Sequence, residues 1–214
     1  MGVPLLNRLP DPWRKVVDWL LTISLAIGFV LVFEAKVAKP YRIPSDSMEP
    51  TLHCARPGAG CLSTTSDRVL VNRLAYDFGS PQRGQIVVFT APAAANVCER
   101  GDAGMTFVKR LIGLPGETVR EDRKGSIWIR EPGASAWTKL REPYVSAQTR
   151  LRDASDYPGR TWPVPKGEYF LLGDNRPDSC DSRRWGAVPR SSLIGPVILS
   201  YWPPARVSYH PGGW

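Results

Sequence analysis

The longest apolar run in the chain lies close to its N-terminus. Residues 16–33 read VVDWLLTISLAIGFVLVF, in which Asp18, Thr22 and Ser24 are the polar positions. A helix needs about 20 mostly apolar residues to cross a bilayer. The run therefore predicts a transmembrane anchor over residues 16–34, and a cleaved signal peptide or a buried core helix are the alternatives.

Residues 35–214 follow a different pattern, in which short apolar runs alternate with turn-forming residues. The 21 prolines and 19 glycines are spread between these runs, which favours β structure over a helical fold. The pattern predicts one mostly β domain, and a rise in charge from about residue 120 to 165 predicts a small polar insertion within it. Six runs rich in β-branched and aromatic residues are the expected strands: 68–74, 85–89, 106–112, 126–130, 168–172 and 193–202.

The formal net charge of +8 over 214 residues suits an anionic partner. Nucleic acid, an anionic membrane surface and acidic proteins all fit that balance. The sequence has neither a basic block with interleaved aromatic residues nor a nucleic-acid-binding motif, so nucleic acid is not an expected partner. Basic residues flank the apolar run on both sides in nearly equal number, so charge alone does not orient the anchor.

The four cysteines allow three disulfide pairings. Cys54 and Cys61 bracket Ala-Arg-Pro-Gly-Ala-Gly, a sequence that turns easily, and we favour a disulfide between them, which requires an oxidising compartment. Free thiols are the alternative, and a zinc site is disfavoured because the gap exceeds the usual spacing of cysteine ligands. Cys98 and Cys180 are far apart in sequence, and their pairing stays open.

The segment after the anchor holds two serines, Ser45 and Ser47, between Pro44 and Pro50. Prolines restrict the backbone, and a fixed backbone suits a nucleophile, although serines near prolines are most often turn residues. A serine nucleophile needs a base, which is usually histidine. The chain's two histidines lie beside the cysteine loop and in a Pro/Gly-rich tail, so a Ser/His/Asp triad is not expected.

A neutral lysine is the other base that activates serine, and it must be desolvated to lose its proton near neutral pH. Most lysines of this chain lie in the polar insertion or beside the anchor. Lys109 differs, because it lies inside the apolar strand of residues 106–112. A buried lysine that merely pairs with a carboxylate is the alternative interpretation.

A third segment, residues 173–186 (GDNRPDSCDSRRWG), is dense in Asp, Asn, Ser and Arg. Its acidic residues suggest a calcium loop, but the interspersed arginines would repel a cation and the EF-hand spacing is absent. We expect no metal here. The composition is typical of a hydrogen-bonded, ion-paired scaffold that orients its neighbours.

Three motifs follow the anchor in order: P-S-x-S-M-x-P-T-L at residues 44–52, V-K-R-x-x-G-L-P-G at 108–116, and G-D-N-R-x-x-S-x-D-S-R-x-W-G at 173–186. This order resembles the bacterial type I signal peptidases. The resemblance implies an antiparallel β catalytic domain and a membrane-bound serine endopeptidase that removes signal peptides from exported preproteins, cutting after small residues such as alanine. It implies no cofactor.

The resemblance also implies roles for single residues. Ser47 is the expected nucleophile and Lys109 the general base, with Ser179 hydrogen-bonding and aiming the lysine amine. The Ser45 hydroxyl and the Ser47 backbone N–H are expected to form the oxyanion hole. The expected structural ion pairs are Arg110 with Asp174 and Asp181 with Arg183. The expected substrate-pocket residues are Met48, Leu52 and Phe107 for the residue before the cut, and Tyr41, Ile43 and Val108 for the residue two positions further back.

Family membership would fix the orientation as well. Residues 1–15 are then cytoplasmic and residues 35–214 form an extracytoplasmic catalytic domain, with secretory preproteins and the lipid bilayer as partners. The competing hypothesis is a membrane-tethered β domain that binds exported proteins without cutting them.

Overall fold

A computed structural model of the chain describes residues 11–98, 101, 103–153, 157 and 159–210. The first ten residues of the expected cytoplasmic segment lie outside this part of the chain.

The apolar run forms one long helix, α1 (Asp11–Lys36). Its section Pro12–Glu34 is 23 residues long with a mean hydropathy of 2.3, and it spans about 35 Å at 1.5 Å per residue. Large apolar side chains project from it, for example Leu25 and Phe29, which are 74% and 70% exposed. The alternative of a buried core helix is therefore wrong, since α1 packs none of its apolar section inside the described structure.

The rest of the described chain is mostly β structure. Its twelve strands are β1 Ala38–Arg42, β2 Arg68–Asn72, β3 Ile86–Thr90, β4 Thr106–Gly113, β5 Thr118–Glu121, β6 Ile127–Arg130, β7 Thr138–Lys139, β8 Thr161–Pro163, β9 Glu168–Leu172, β10 Val188–Pro189, β11 Leu193–Trp202 and β12 Ser208–Tyr209. Three short helices lie between them: α2 Ala75–Phe78, α3 Ala147–Asp153 and α4 Ser182–Trp185. All six predicted strands are present, and the mostly β fold class is confirmed.

The strands form two antiparallel sheets. The larger has the order β1-β2-β11-β3-β4-β9-β10, with β12 paired to β11. Side chains along β2 alternate between the two faces of this sheet: Val69 and Val71 point into the core, while Arg68 is exposed. In β3, by contrast, residues 86–89 are all buried, as expected for a strand covered on both faces.

The smaller sheet, with the order β7-β6-β5-β8, is built from the expected polar insertion. It is more than a polar loop, because Val119, Ile127 and Ile129 of its strands pack on Phe170 of β9 in a separate apolar cluster. Each such side chain contributes roughly 1.5–3 kcal/mol of hydrophobic stabilisation when fully buried. This packing attaches the second sheet to the strand that precedes residues 173–186.

The structure contains two disulfides. Cys54 pairs with Cys61, as the sequence predicts, and the two Cα atoms lie 5.1 Å apart. Cys98 pairs with Cys180 across 82 residues, a pairing that the sequence leaves open. The second disulfide ties residues 173–186 to the segment between β3 and β4.

Candidate active site

Ser47 lies in a single 3-10 turn, Asp46–Met48, which follows β1 after three residues. The turn is held from the other side of the site, because the Asn175 backbone N–H donates to the Ser47 carbonyl at 3.1 Å and its side-chain amide donates to the Asp46 carbonyl at 3.2 Å. Ser47 is 5% exposed. The third motif therefore fixes the backbone of the first.

Lys109 lies in β4, where it pairs with Val87 of β3, and it is 4% exposed. Its Nζ atom is 2.5 Å from Ser47 Oγ. In the described part of the chain no carboxylate lies within ion-pair distance of this amine, so the alternative of a simple buried salt bridge does not hold.

Burial strongly affects the charge of Lys109. Desolvation lowers the pKa of its ammonium to about 8, while the carboxylates of Asp181, Asp174 and Asp46 act in the opposite direction. About a tenth of the amines are then neutral at pH 7, whereas fewer than about one in a thousand are neutral for an ordinary lysine. A neutral amine at this distance can accept the proton of the Ser47 hydroxyl.

Ser45 and Ser179 lie on either side of this pair. The Ser45 hydroxyl is 3.4 Å from Ser47 Oγ and faces solvent. Ser179 is buried, and its hydroxyl makes no hydrogen bond to Lys109; its polar interaction is with the Asp181 carboxylate. The expected contact between Ser179 and the lysine is thus absent from this structure.

Sequence reasoning missed Gly173, which lies at the centre of the site. A Cβ atom at this position would be 2.2 Å from Ser179 Oγ and 2.5 Å from the Ser47 carbonyl oxygen. A side chain there would therefore force the first and third motifs apart. The signal in the sequence is a glycine placed directly between an apolar strand and the polar segment.

Both expected ion pairs are present and buried. Arg110 donates to the two carboxylate oxygens of Asp174 at 2.8 and 2.6 Å. Arg183 donates to the two oxygens of Asp181 at 2.9 Å each. Asp181 also accepts from the Gly173 N–H at 3.1 Å, so the two pairs anchor residues 173–186 beside β4.

A cavity of about 340 Å³ opens in front of Ser47 and Lys109. It is lined by four of the six expected substrate-pocket residues, namely Tyr41, Ile43, Phe107 and Val108. Further lining residues without a predicted role include Arg42, Asp46, Val88, Met105, Thr106, Asp178 and Cys180.

Met48 and Leu52 are corrections to the expected pocket. Neither lines the cavity, and they are 0% and 1% exposed. The 3-10 turn places Ser47 toward Lys109 and the next side chain toward the core, where Met48 and Leu52 pack with Val69 and Val71. They pack in the same apolar cluster as Ile43 and Val88, two residues of the cavity lining.

The histidines take other partners. His53 Nδ1 bonds to the Glu49 carboxylate, and His210 Nε2 lies 2.9 Å from the Ser200 hydroxyl. Neither contacts Ser47, so the geometry disfavours a histidine base. Among the described residues, no cluster of His, Cys, Asp and Glu could hold a metal ion.

The sequence model described as "Signal peptidase, peptidase S26" matches residues 16–202. The chain belongs to the signal peptidase family.

Its relatives span most of its length. It is 33% identical to the probable signal peptidase I-1 of Synechocystis over 94% of this chain and 89% of the relative. It is 31% identical to signal peptidase I of Pseudomonas aeruginosa over 85% of this chain and 72% of the relative. A crystal structure of an Enterococcus faecalis signal peptidase I is 33% identical, covers 56% of this chain and 97% of its own, and superposes with a TM-score of 0.42.

Membership establishes the general activity. Signal peptidases are membrane-associated serine endopeptidases, and the family removes signal peptides from preproteins. The apolar helix α1 is consistent with membrane association.

Proposed function

We propose that this signal peptidase cleaves preproteins with a catalytic dyad of Ser47 and Lys109. The observation that carries the proposal is the 2.5 Å approach of the buried Lys109 amine to Ser47 Oγ. The low pKa of that amine, about 8, supports its role as a general base.

The steps of the reaction follow from these positions. Neutral Lys109 takes the proton of Ser47 as Oγ attacks the substrate carbonyl, and the Ser45 hydroxyl and Ser47 N–H stabilise the oxyanion. The lysine then gives its proton to the leaving amine, which departs as the new N-terminus of the mature protein. The same amine then deprotonates a water molecule that attacks the acyl-enzyme, and it returns that proton to Ser47 Oγ as the ester bond breaks and the signal peptide is released.

Ser179 is the proposed orienting residue for the lysine. Its buried hydroxyl interacts with the Asp181 carboxylate, one of the groups whose charge acts on Lys109. A hydrogen bond from the Lys109 amine to the same hydroxyl in the substrate complex would aim the amine at Ser47.

The cavity supports a preference for small side chains before the cut. Phe107 and Val108 narrow it from β4, and Tyr41 of β1 and Ile43 just after β1 narrow it from the other side. Met48 and Leu52 pack in the same apolar cluster as Ile43. We therefore propose cleavage after Ala-x-Ala sequences of secretory preproteins.

The proposed location is the cell membrane, with α1 spanning the bilayer, the N-terminus cytoplasmic and residues 35–214 outside. The two disulfides support an oxidising compartment for this domain. The 11 residues from the end of α1 to Ser47 span at most about 40 Å, which keeps the active site near the membrane surface.

The test is cleavage of a preprotein with alanine at both positions by full-length protein in detergent. Mass spectrometry of the product should show one new N-terminus after the second alanine. Ser47→Ala should leave the preprotein intact, and the exposed Ser80→Ala should cut it normally. A wild-type protein that binds the preprotein and leaves it whole would support the non-cleaving alternative instead.

A further inference from the structure

Two arginines of the segment 173–186 are buried together beside the dyad. Arg176 and Arg183 are 1% and 3% exposed. A buried guanidinium without a counter-charge strongly destabilises a fold. Asp181 supplies one negative charge, which pairs with Arg183. The two arginines together need a second negative charge.

Arg176 obtains its counter-charge from the second sheet unit, which we define as residues 114–165. Its Nη2 atom bonds to the Glu142 carboxylate, and neither side chain has any exposed surface. The Tyr144 hydroxyl donates to the same carboxylate oxygen at 3.0 Å. The second nitrogen contact of Arg176 is to the Gly173 carbonyl at 3.0 Å, which ties Glu142 to the centre of the site.

Arg183 is held by the same unit. Its Nη1 atom bonds to Asp153, the last residue of α3, while the other nitrogens bond to Asp181. Its Nη2 atom also donates to the Arg176 carbonyl at 2.5 Å. The two arginines therefore form one buried cluster with carboxylates from both sides.

We propose that Glu142 and Asp153 are positioning residues for signal peptide cleavage, holding Arg176 and Arg183 so that Ser179 and Asp181 keep their places beside Lys109. Neither carboxylate touches the cavity, and both lie more than 20 residues before the arginine they bind. The inference rests on the proposed dyad. It makes the second sheet unit a part of the catalytic apparatus.

The electrostatic connection to Lys109 passes through Arg183. The charge of Arg183 lowers the pKa of the lysine, and the carboxylates near it raise that pKa. Loss of a negative charge behind either arginine leaves the cluster more positive, which lowers the pKa of Lys109 further. The charged groups with the largest effects on the amine are Asp181, Asp174, Asp46 and Arg183, and Arg176 belongs to the same cluster because its carbonyl accepts a hydrogen bond from Arg183.

A second carboxylate can take over the role of Asp153 at Arg183. Glu121 Oε2 lies 3.5 Å from Arg183 Nη1, beside Asp153. Burial and the charge of Asp153 raise the pKa of Glu121 to about 8, so removal of the Asp153 charge would let Glu121 ionise in its place. We therefore expect Glu142→Gln to have the larger effect.

The experiment measures kcat and KM of preprotein cleavage from pH 6 to 10 for the full-length protein and its variants. Glu142→Gln should lower kcat roughly 10- to 100-fold, as expected for a displaced catalytic group. KM should stay within about twofold of wild type, and the midpoint of the pH profile should fall. Asp153→Asn should also lower kcat and the midpoint of the pH profile, but by smaller amounts. Glu131→Gln, an exposed carboxylate of the same unit, is the matched control.

Thermal unfolding by circular dichroism accompanies each variant. A folded Glu142→Gln with wild-type kcat and midpoint overturns the inference, and so does a loss of stability with an unmoved midpoint. If Glu142→Gln does not fold, the double variant Asp153→Asn with Glu121→Gln decides, because no carboxylate can then replace Asp153 at Arg183, and an unmoved midpoint there overturns it. These outcomes leave the dyad intact whenever wild type cleaves and Ser47→Ala does not.

Discussion

Ser45 and Ser47 lie 3.4 Å apart and face the same cavity, yet they are expected to differ in importance. Ser47→Ala removes the attacking oxygen and should abolish cleavage. Ser45→Ala removes one oxyanion donor and leaves the backbone N–H, so the rate should fall by a factor of order 10²–10³. Initial rates on one preprotein measure both effects, and a Ser45→Ala enzyme with full activity would remove Ser45 from the oxyanion hole.

Gly173 gives a second prediction at this scale. Gly173→Ala should lower kcat roughly 100-fold or more, because its Cβ would lie 2.2 Å from Ser179 Oγ and 2.5 Å from the Ser47 carbonyl. Gly28→Ala is the control, since no atom lies within 4 Å of a Cβ in the middle of α1. Equal activity of the two variants would show that the motifs do not need this close approach.

Much of the site could be predicted from the sequence because its chemistry lies in three short motifs. Ser47, Lys109 and the two ion pairs occupy motif positions, and the structure brings them together. Met48 was misplaced because a motif does not show which way a side chain turns. Glu142 and Asp153 gave no signal, since a buried charge pair between distant segments exists only in the folded chain.

The loop between Cys54 and Cys61 packs against the turn that carries the nucleophile, since Gly60 lies next to the Asp46 side chain. Glu49, two residues after Ser47, accepts hydrogen bonds from the backbone N–H groups of Cys54 at 3.1 Å and Leu62 at 3.2 Å. The closed loop therefore braces the segment that carries Ser47.

We expect both disulfides in protein taken from its native membrane. Mass spectrometry of non-reduced peptides should show Cys54 linked to Cys61 and Cys98 linked to Cys180. Alkylation of all four thiols without prior reduction would mean that the domain lies in a reducing compartment, against the proposed orientation.

The strands that sequence patterns revealed are those with long β-branched runs, such as β4 and β11. β1 (Ala38–Arg42) was missed because Lys39 and Pro40 interrupt its apolar pattern, although proline is tolerated on an edge strand. The two-residue strands β7, β10 and β12 are too short to give any periodicity. They form because longer neighbours offer an edge for pairing.

The whole molecule combines an apolar helix with a β domain whose site follows directly after it. If α1 spans the bilayer, the full-length protein should stay in the membrane pellet after alkaline carbonate extraction, whereas a variant without residues 1–36 should enter the supernatant. Immunoblots of the two fractions make the measurement. Release of the full-length protein by carbonate would contradict a spanning anchor.

The serine/lysine mechanism depends most on Lys109 as the base, and the pH dependence of cleavage tests this role directly. Activity should rise with pH through a midpoint near 8, because the amine accepts the Ser47 proton only when it is neutral. Lys109→Arg should be folded and inactive at every pH, since a guanidinium does not deprotonate in proteins. His53→Ala should keep most activity and the same profile, because its ring bonds to Glu49 and lies outside the dyad.

The measurement is the initial rate of preprotein cleavage from pH 6 to 10 for these three proteins, with circular dichroism to confirm folding. The cleavage rate should rise near pH 8 for wild type and His53→Ala, and Lys109→Arg should not cleave at any pH. An active Lys109→Arg enzyme, or a folded but inactive His53→Ala enzyme, would contradict the serine/lysine mechanism.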